Sequence, residues 1–464
     1  MEGVRMERRR RLSTVAAVAG IAGLTLLWVA AGPAEAKKQT PQPKIKNVIV
    51  MISDGMGYNQ MLAGDYFQYG ATGEQVYQRF PVRTAMSTYS VNGSYDPLQA
   101  WGLFDYVKSG ATDSASAATA MSTGVKIKDN VIGVDVDGKP LYHVAQRAEA
   151  LKKSTGVITS VQWSHATPAG FVAHNASRNN YAELANEMIA DSATDVIMGA
   201  GSPLYDDNGT PVAAPSQYKY VGGVDTWTAL VNGTAGGDAD GDGDADTWTL
   251  VQSKLQFERL ASARTTPARV CGTARAATTL QQARAGDAEA APYTVPMNAN
   301  VPDLPTMTKG ALNVLDANRK GFFLMIEGGA VDWAGHANQP GRTIEEQIDF
   351  NKAVEAVVRW VHRNSDWDET LVIVTGDHET GYLWGPGSGV PGGNGTWTPV
   401  VNNGEDVTPG MQFNSGDHTN SLIPLFARGE GADDLRAAAV KTDPVRGKYL
   451  DNTDVARVIF ADMR

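Results

Sequence analysis

Six short runs of nearly unbroken apolar residues along a chain of 464 residues set the strongest limit on its fold. They are Asn47–Ile52, Gly156–Val161, Asp195–Met198, Gly321–Ile326, Thr370–Thr375 and Leu422–Ala427. A run that is apolar at successive positions, rather than at every second one, marks a strand covered on both faces, as in a parallel sheet. Helical patterns fall between the runs. The clearest starts at Thr343, whose spacing to Glu346 predicts a capping box, and carries Ile344, Ile348, Val354, Val357, Val358 and Val361 as its apolar stripe. Strands alternating with helices predict an α/β layered fold, and 42% hydrophobic residues provide core for one large domain or two ordinary ones.

Two stretches break this rhythm. Residues 202–301 are turn-rich and then rich in Ala and Arg, and read as an insertion or peripheral subdomain. Residues 385–417 are full of Gly, Pro and Asn, and a loop of that length inside a compact domain is expected to serve a site, here by roofing it. No internal repeat is evident.

The first residues read as an export signal. Arg5 and Arg8–Arg11 form a basic start, Val15–Ala31 is nearly all apolar, and Ala34-Glu35-Ala36 offers small residues for cleavage. The apolar run is short for a membrane span, so residues 1–36 are expected to be removed, leaving a linker at 37–46 and a catalytic domain at 47–464 with no stable membrane anchor. The arginine run also loosely fits twin-arginine export. A formal net charge of -11 and a pI near 5.2 argue against a nucleic-acid-binding surface. Loss of residues 1–36 takes away five arginines and three glutamates, so the exported part is more acidic still. Any phosphate site must be locally positive. Cys271 is the single cysteine, which rules out an intramolecular disulfide; Cys271-Gly-Thr-Ala-Arg275 approaches a sulfatase pattern but has Thr273 where a proline is required.

Chemistry concentrates in a few places. In Ser109–Gly124, Thr112 and Asp113 are candidate caps for a helix of small residues that puts Ser114 in the first turn, where unpaired backbone N–H groups favour an anion. The competing reading is a small-residue helix packed tightly on a neighbour. Asp54 follows the first apolar run, in Ser53-Asp54-Gly55-Met56-Gly57, at the strand end where open α/β sheets place ligand chemistry; capping the next helix is the alternative. Glu327 follows Ile326 and leads into Asp332, Trp333 and His336; Asp377 and His378 follow Thr375; His418 precedes the last run. Carboxylate with imidazole suits zinc, and an Asp-rich, His-poor subset suits magnesium.

These motifs together resemble the alkaline phosphatases of bacteria and animals, from about Asn47 to Arg428, interrupted by 202–301. The resemblance implies a central mixed, mostly parallel β-sheet flanked by helices on both faces, and a site with two zinc ions and one magnesium that hydrolyses phosphate monoesters through a phosphoserine. It places Ser114 as the phosphorylated serine and Arg178 as the arginine that holds the phosphate. Asp332, His336 and His418 would bind the first zinc, and Asp377 and His378 the second. Asp54 would bridge the second zinc and the magnesium, which Thr167 and Glu327 also ligate. A periplasmic or secreted location and a candidate homodimer go with it. Elementary chemistry agrees: zinc coordination favours the alkoxide of a serine, and an arginine fork can take two phosphate oxygens.

The chain departs from the best-known bacterial pattern at two positions. His165 stands for an Asp two residues before Thr167, and Trp333 for a Lys directly after Asp332, which touches the outer shell of the third metal and removes a positive charge near the phosphate. His143, His174 and His362 are assigned surface or core roles. Asp238, Asp240 and Asp242, with Gly243, fit the opening of a calcium loop whose closing Glu is replaced by Thr249; an acidic solvated turn is the alternative. A phosphodiesterase or sulfatase with the same metal-binding strand ends, or a non-enzymatic exported phosphate- or metal-binding protein, are the competing functions.

Overall fold

The computed structural model describes residues 45–192, 194–237, 246–390 and 395–463. The expected signal peptide, the linker up to residue 44 and the candidate calcium ligands Asp238, Asp240 and Asp242 lie outside the described residues. The strands of the main sheet are β1 (Asn47–Ser53), β2 (Val82–Ser87), β3 (Ser154–Gln162), β4 (Val196–Ala200), β5 (Thr249–Val251), β6 (Val270–Thr273), β7 (Phe322–Gly328), β8 (Thr370–Thr375), β9 (Ile423–Gly429), β10 (Lys441–Asp443) and β11 (Gly447–Asp451). Their order across the sheet is β10-β11-β2-β9-β8-β1-β7-β3-β4-β6-β5. From β8 to β5 every neighbouring pair is parallel. β9 runs antiparallel to both its neighbours, so the sheet is mixed and mostly parallel, with helices on both faces, as expected.

The apolar runs predicted the middle of this sheet because each middle strand is buried on both sides. Val48, Val50 and Ile52 of β1 join one core cluster, whereas Ile49 and Met51 join the other. The first cluster packs the helices Ser114–Thr123 and Thr453–Asp462 against the sheet; the second packs Leu304–Leu315 and Pro340–Asn364. None of the described helices is long and apolar enough to cross a membrane.

Three details differ from the sequence reading. The long helix begins at Pro340, with Gln339 as N-cap, rather than at Thr343. Proline suits the first helical position because its φ is already helical and its missing N–H is not needed there. Thr343 instead donates its hydroxyl to the Gln339 carbonyl at 2.9 Å, and Glu346 is buried rather than closing a capping box. Residues 202–301 supply β5 and β6, which extend the main sheet at one edge; three- and four-residue strands containing Thr, Cys and Gly leave no apolar run to read. The same stretch is tied to the long helix by a buried Arg284–Glu345 ion pair at 2.8 Å. Finally, Trp397 of the 385–417 segment packs on Phe104, ring centroids 5.5 Å apart, and only Asp417 among the described residues of that segment lines the main cavity.

Candidate active site

The register of β1 brings the distant motifs together. Ile52 pairs with Glu327 on one side and with Thr375 on the other, so Asp54, Glu327 and Asp377 emerge side by side from three adjacent strands. A cavity of about 860 Å³ opens next to these strand ends and is lined by Ser114, Arg178, Asp332, His336 and His418 among others.

Ser114 is the first residue of its helix, and Asp113 is the N-cap, accepting a hydrogen bond from the Ser116 N–H at 2.9 Å. Ser114 stands in the first helical turn as expected, and the helix of small residues is also packed tightly on a neighbour. Every residue from Ser114 to Thr123 is buried, and a Cβ on Gly170 of the neighbouring helix would stand 2.7 Å from Ala118 Cβ, so the two helices approach at glycine distance. That packing fixes the helix start, and the helix start presents Ser114 Oγ 3.2 Å from His378 Nε2.

Two triads of potential metal ligands converge. Asp54, Asp377 and His378 form one, with His378 Nε2 at 3.5 Å from Asp54 Oδ1 and 3.2 Å from Asp377 Oδ2. Asp332, His336 and His418 form the other, with Asp332 Oδ1 at 3.4 Å and 3.3 Å from the two Nε2 atoms. Thr167 Oγ1 lies 3.5 Å from Asp54 Oδ2. Asp54 Oδ1, Asp377 Oδ2 and both Glu327 oxygens are buried without a hydrogen-bond partner among the described residues.

The electrostatics of this cluster call for cations. Burial, then the charges of Asp377, Asp332 and Glu327, push Asp54 well above the usual carboxylate range. Burial likewise pushes Glu327 up to about 7 and Asp377 up to about 6. Buried, unpaired carboxylates are strongly unfavourable as ions unless a cation compensates them, so the donor set fits divalent metals. Asp332 behaves oppositely: against burial, hydrogen bonding to His418 and the nearby imidazoles hold its carboxyl well below the usual range.

Arg178 reaches the cavity and is held by Asp113, whose Oδ2 accepts from Nη1 at 2.8 Å. His165 and Trp333 stand next to each other on the cavity wall, ring centroids 5.7 Å apart and edge to face. His165 Nδ1 is buried without a partner among the described residues, and burial pushes this imidazole down to about 3, which leaves it neutral. Cys271, in contrast, sits inside β6, outside the lining of this cavity, with its thiol pushed by burial up to about 12. It is no sulfatase nucleophile. Of the other histidines, His143 is fully buried and His362 contacts Trp367 at the surface, whereas His174 does find a carboxylate, Glu187, at 2.8 Å.

A family model described as alkaline phosphatase matches residues 45–412. The chain belongs to the alkaline phosphatase family. It is 32% identical over 356 residues to alkaline phosphatase 4 of Bacillus subtilis, an alignment covering 75% of this chain but 64% of that protein. It is 30% identical over 443 residues to alkaline phosphatase H of Pseudomonas aeruginosa, covering 88% of this chain and 85% of that one. Among solved structures, the cold-active alkaline phosphatase of a psychrophilic Shewanella superposes with a TM-score of 0.62 at 25% identity, over 90% of this chain and 100% of that one.

The cavity also holds residues to which no motif pointed: Lys108, Asp129, Asn130 and Gln282. Gln282 comes from the 202–301 stretch and donates to Gln339 Oε1 at 2.9 Å. The role of Asp113 as partner of Arg178 was equally hidden, since a cap next to a serine explains itself locally. Only folding brings Arg178, from a loop 65 residues on, against its second carboxylate oxygen.

Proposed function

We propose that this chain is an exported, metal-dependent phosphomonoesterase that forms a phosphoserine at Ser114. The observation that carries the reading is the position of Ser114 Oγ at a helix start, 3.2 Å from His378 Nε2 and in the same cavity as Arg178. Asp332, His336 and His418 would hold one zinc ion, Asp54, Asp377 and His378 a second, and Asp54, Thr167 and Glu327 a magnesium ion. When bound, such ions favour the serine alkoxide and neutralise charge on the attacking and leaving oxygens.

The protein groups do the rest. Arg178 binds two oxygens of the phosphoryl group, and Asp113 keeps its guanidinium oriented before substrate arrives. Ser114 Oγ attacks phosphorus in line and loses its proton to solvent, the ester P–O bond breaks, and the departing alcohol takes up a proton. Water then cleaves the Oγ–P bond, regenerating the serine and releasing inorganic phosphate. Each displacement inverts phosphorus, so the overall reaction retains configuration. The wide, partly polar cavity sets no narrow limit on the alcohol.

The test is hydrolysis by zinc- and magnesium-loaded protein of p-nitrophenyl phosphate, bis-p-nitrophenyl phosphate and p-nitrophenyl sulfate. Fast release from the monoester alone is expected. Faster hydrolysis of the bis-ester or of the sulfate would overturn the reading in favour of a diesterase or sulfatase, and no hydrolysis of any would favour a binding protein.

A further inference from the structure

Residues 129 and 130 form a clip across the Ser114 helix start and the Arg178 loop. Asn130 donates its N–H to Asp113 Oδ2 at 3.0 Å, the same oxygen that accepts from Arg178 Nη1 at 2.8 Å. Its carbonyl accepts from the Arg178 N–H at 2.8 Å. One residue earlier, Asp129 Oδ1 accepts from Ser116 Oγ at 2.8 Å and from the Asp113 N–H at 3.3 Å. Ser116 Oγ lies also 2.9 Å from Asp113 Oδ1, so a hydroxyl with a single proton stands between two carboxylates. Asp113, Asp129, Asn130 and Arg178 all line the same cavity.

The charge balance has a consequence. Arg178 is paired directly with Asp113, and Asp129 adds another carboxylate to the wall of the same cavity. Lys108, another cation of the cavity wall, is paired with Asp105 at 2.8 Å. A phosphate dianion that binds Arg178 therefore also meets the negative charge of Asp129. Asp129 is exposed, so its effect is modest and screened by salt.

We infer that Asp129 is a positioning residue with two separable effects on the proposed reaction: through Ser116 and Asp113 it holds Arg178 in its binding orientation, and through its charge it weakens retention of the phosphate product. The inference rests on the reading of this cavity as a phosphomonoesterase site. Its geometric part needs only an oxygen acceptor at position 129, and its electrostatic part needs the negative charge.

The two parts are separated by Asp129→Asn, whose amide oxygen can still accept from Ser116 and the Asp113 N–H, and Asp129→Ala, which loses acceptor and charge together. Inorganic phosphate binding to the zinc- and magnesium-loaded proteins is measured by calorimetry at low and high salt, with kcat and KM for p-nitrophenyl phosphate. Asp129→Asn should bind phosphate about 2- to 5-fold tighter at low salt, with the gap narrowing as salt rises, and should lower KM. Asp129→Ala should bind more weakly than Asp129→Asn. Equal or weaker phosphate binding by Asp129→Asn at low salt overturns the electrostatic part, and Asp129→Ala binding as tightly as Asp129→Asn overturns the geometric part. If the unaltered protein binds phosphate and hydrolyses the ester, those failures belong to this inference alone; if it does neither, the functional reading falls and takes the inference with it.

Discussion

The Nε2 atoms of His336 and His418 face each other at 3.0 Å, while each ring turns its Nδ1 to a backbone carbonyl, Gly416 at 2.7 Å and Thr112 at 2.9 Å. A neutral imidazole donates from one nitrogen and accepts at the other, so with both Nδ1 atoms donating to carbonyls a metal would meet two Nε2 lone pairs beside Asp332. Against burial, the hydrogen bond and charge of Asp332 push His418 up to about 9, so a metal binding there displaces the proton from His418 Nε2. Such second contacts orient imidazoles for a metal. Stripping the protein with a chelator should abolish hydrolysis and lower Tm, and zinc should restore both. An ion present at about a thousand times its Kd adds roughly 4 kcal/mol of stability. A Tm that does not move with zinc would count against this pair of triads as metal sites.

Ser114→Ala removes the proposed nucleophile without disturbing the helix, since alanine is at home in a buried small-residue helix. Turnover should fall by about 1,000-fold or more, with metal content unchanged and slow hydrolysis remaining. Wild-type turnover in the metal-loaded variant would eliminate Ser114 as the nucleophile.

Arg178→Lys keeps the charge but loses the planar fork that can serve Asp113 and a phosphate together. The inhibition constant for inorganic phosphate should rise roughly 10-fold or more, as expected for loss of a charge-assisted bidentate contact. An unchanged constant would exclude Arg178 from phosphate binding.

His165 and Trp333 share one edge-to-face contact on the cavity wall, and Tyr181 stacks on His165 with ring centroids 6.1 Å apart. Replacing His165 and Trp333 by the residues of the best-known bacterial pattern would put a carboxylate near the proposed magnesium site and a cation near the proposed phosphate site. The double variant His165→Asp, Trp333→Lys should bind phosphate more tightly, turn over more slowly if phosphate release limits the rate, and depend less on added magnesium. Weaker phosphate inhibition at unchanged zinc content would refute this account.

Glu346 offers a test of stability remote from the chemistry. Burial, then the charges of Asp349 and Glu345, push its carboxyl up to about 8, and one of its oxygens has no partner among the described residues. Unfolded, it titrates near 4.3. The folded state therefore holds the proton more tightly, so this contribution to stability is full below about pH 4 and is lost as pH rises through about 8. Glu346→Gln should leave Tm nearly unchanged at pH 5 and raise stability by about 1–3 kcal/mol at pH 9. Equal effects at both pH values would show that the carboxyl does not titrate as described.

Much of this protein was legible before folding. The apolar runs located the middle strands, because a strand buried on both faces must be apolar at successive positions, and Asp54, Asp377 and Glu327 were visible as polar residues at the ends of such runs. β2 and the short strands β5, β6, β10 and β11 at and next to the two edges escaped notice, since they are short or, like β2 with Arg83, Thr84 and Ser87, carry polar residues that break any apolar run. Ser114 was legible through its cap and its small neighbours. What only the tertiary structure decided is which residues share the cavity and how they act on one another: Asp113 turning one oxygen to its helix and the other to Arg178, and Asp129 meeting Ser116 from a separate turn. Local sequence records the needs of a residue's own strand or helix. Contacts between loops are set by sheet register and helix packing, which sum over the whole chain and leave no mark at any single position.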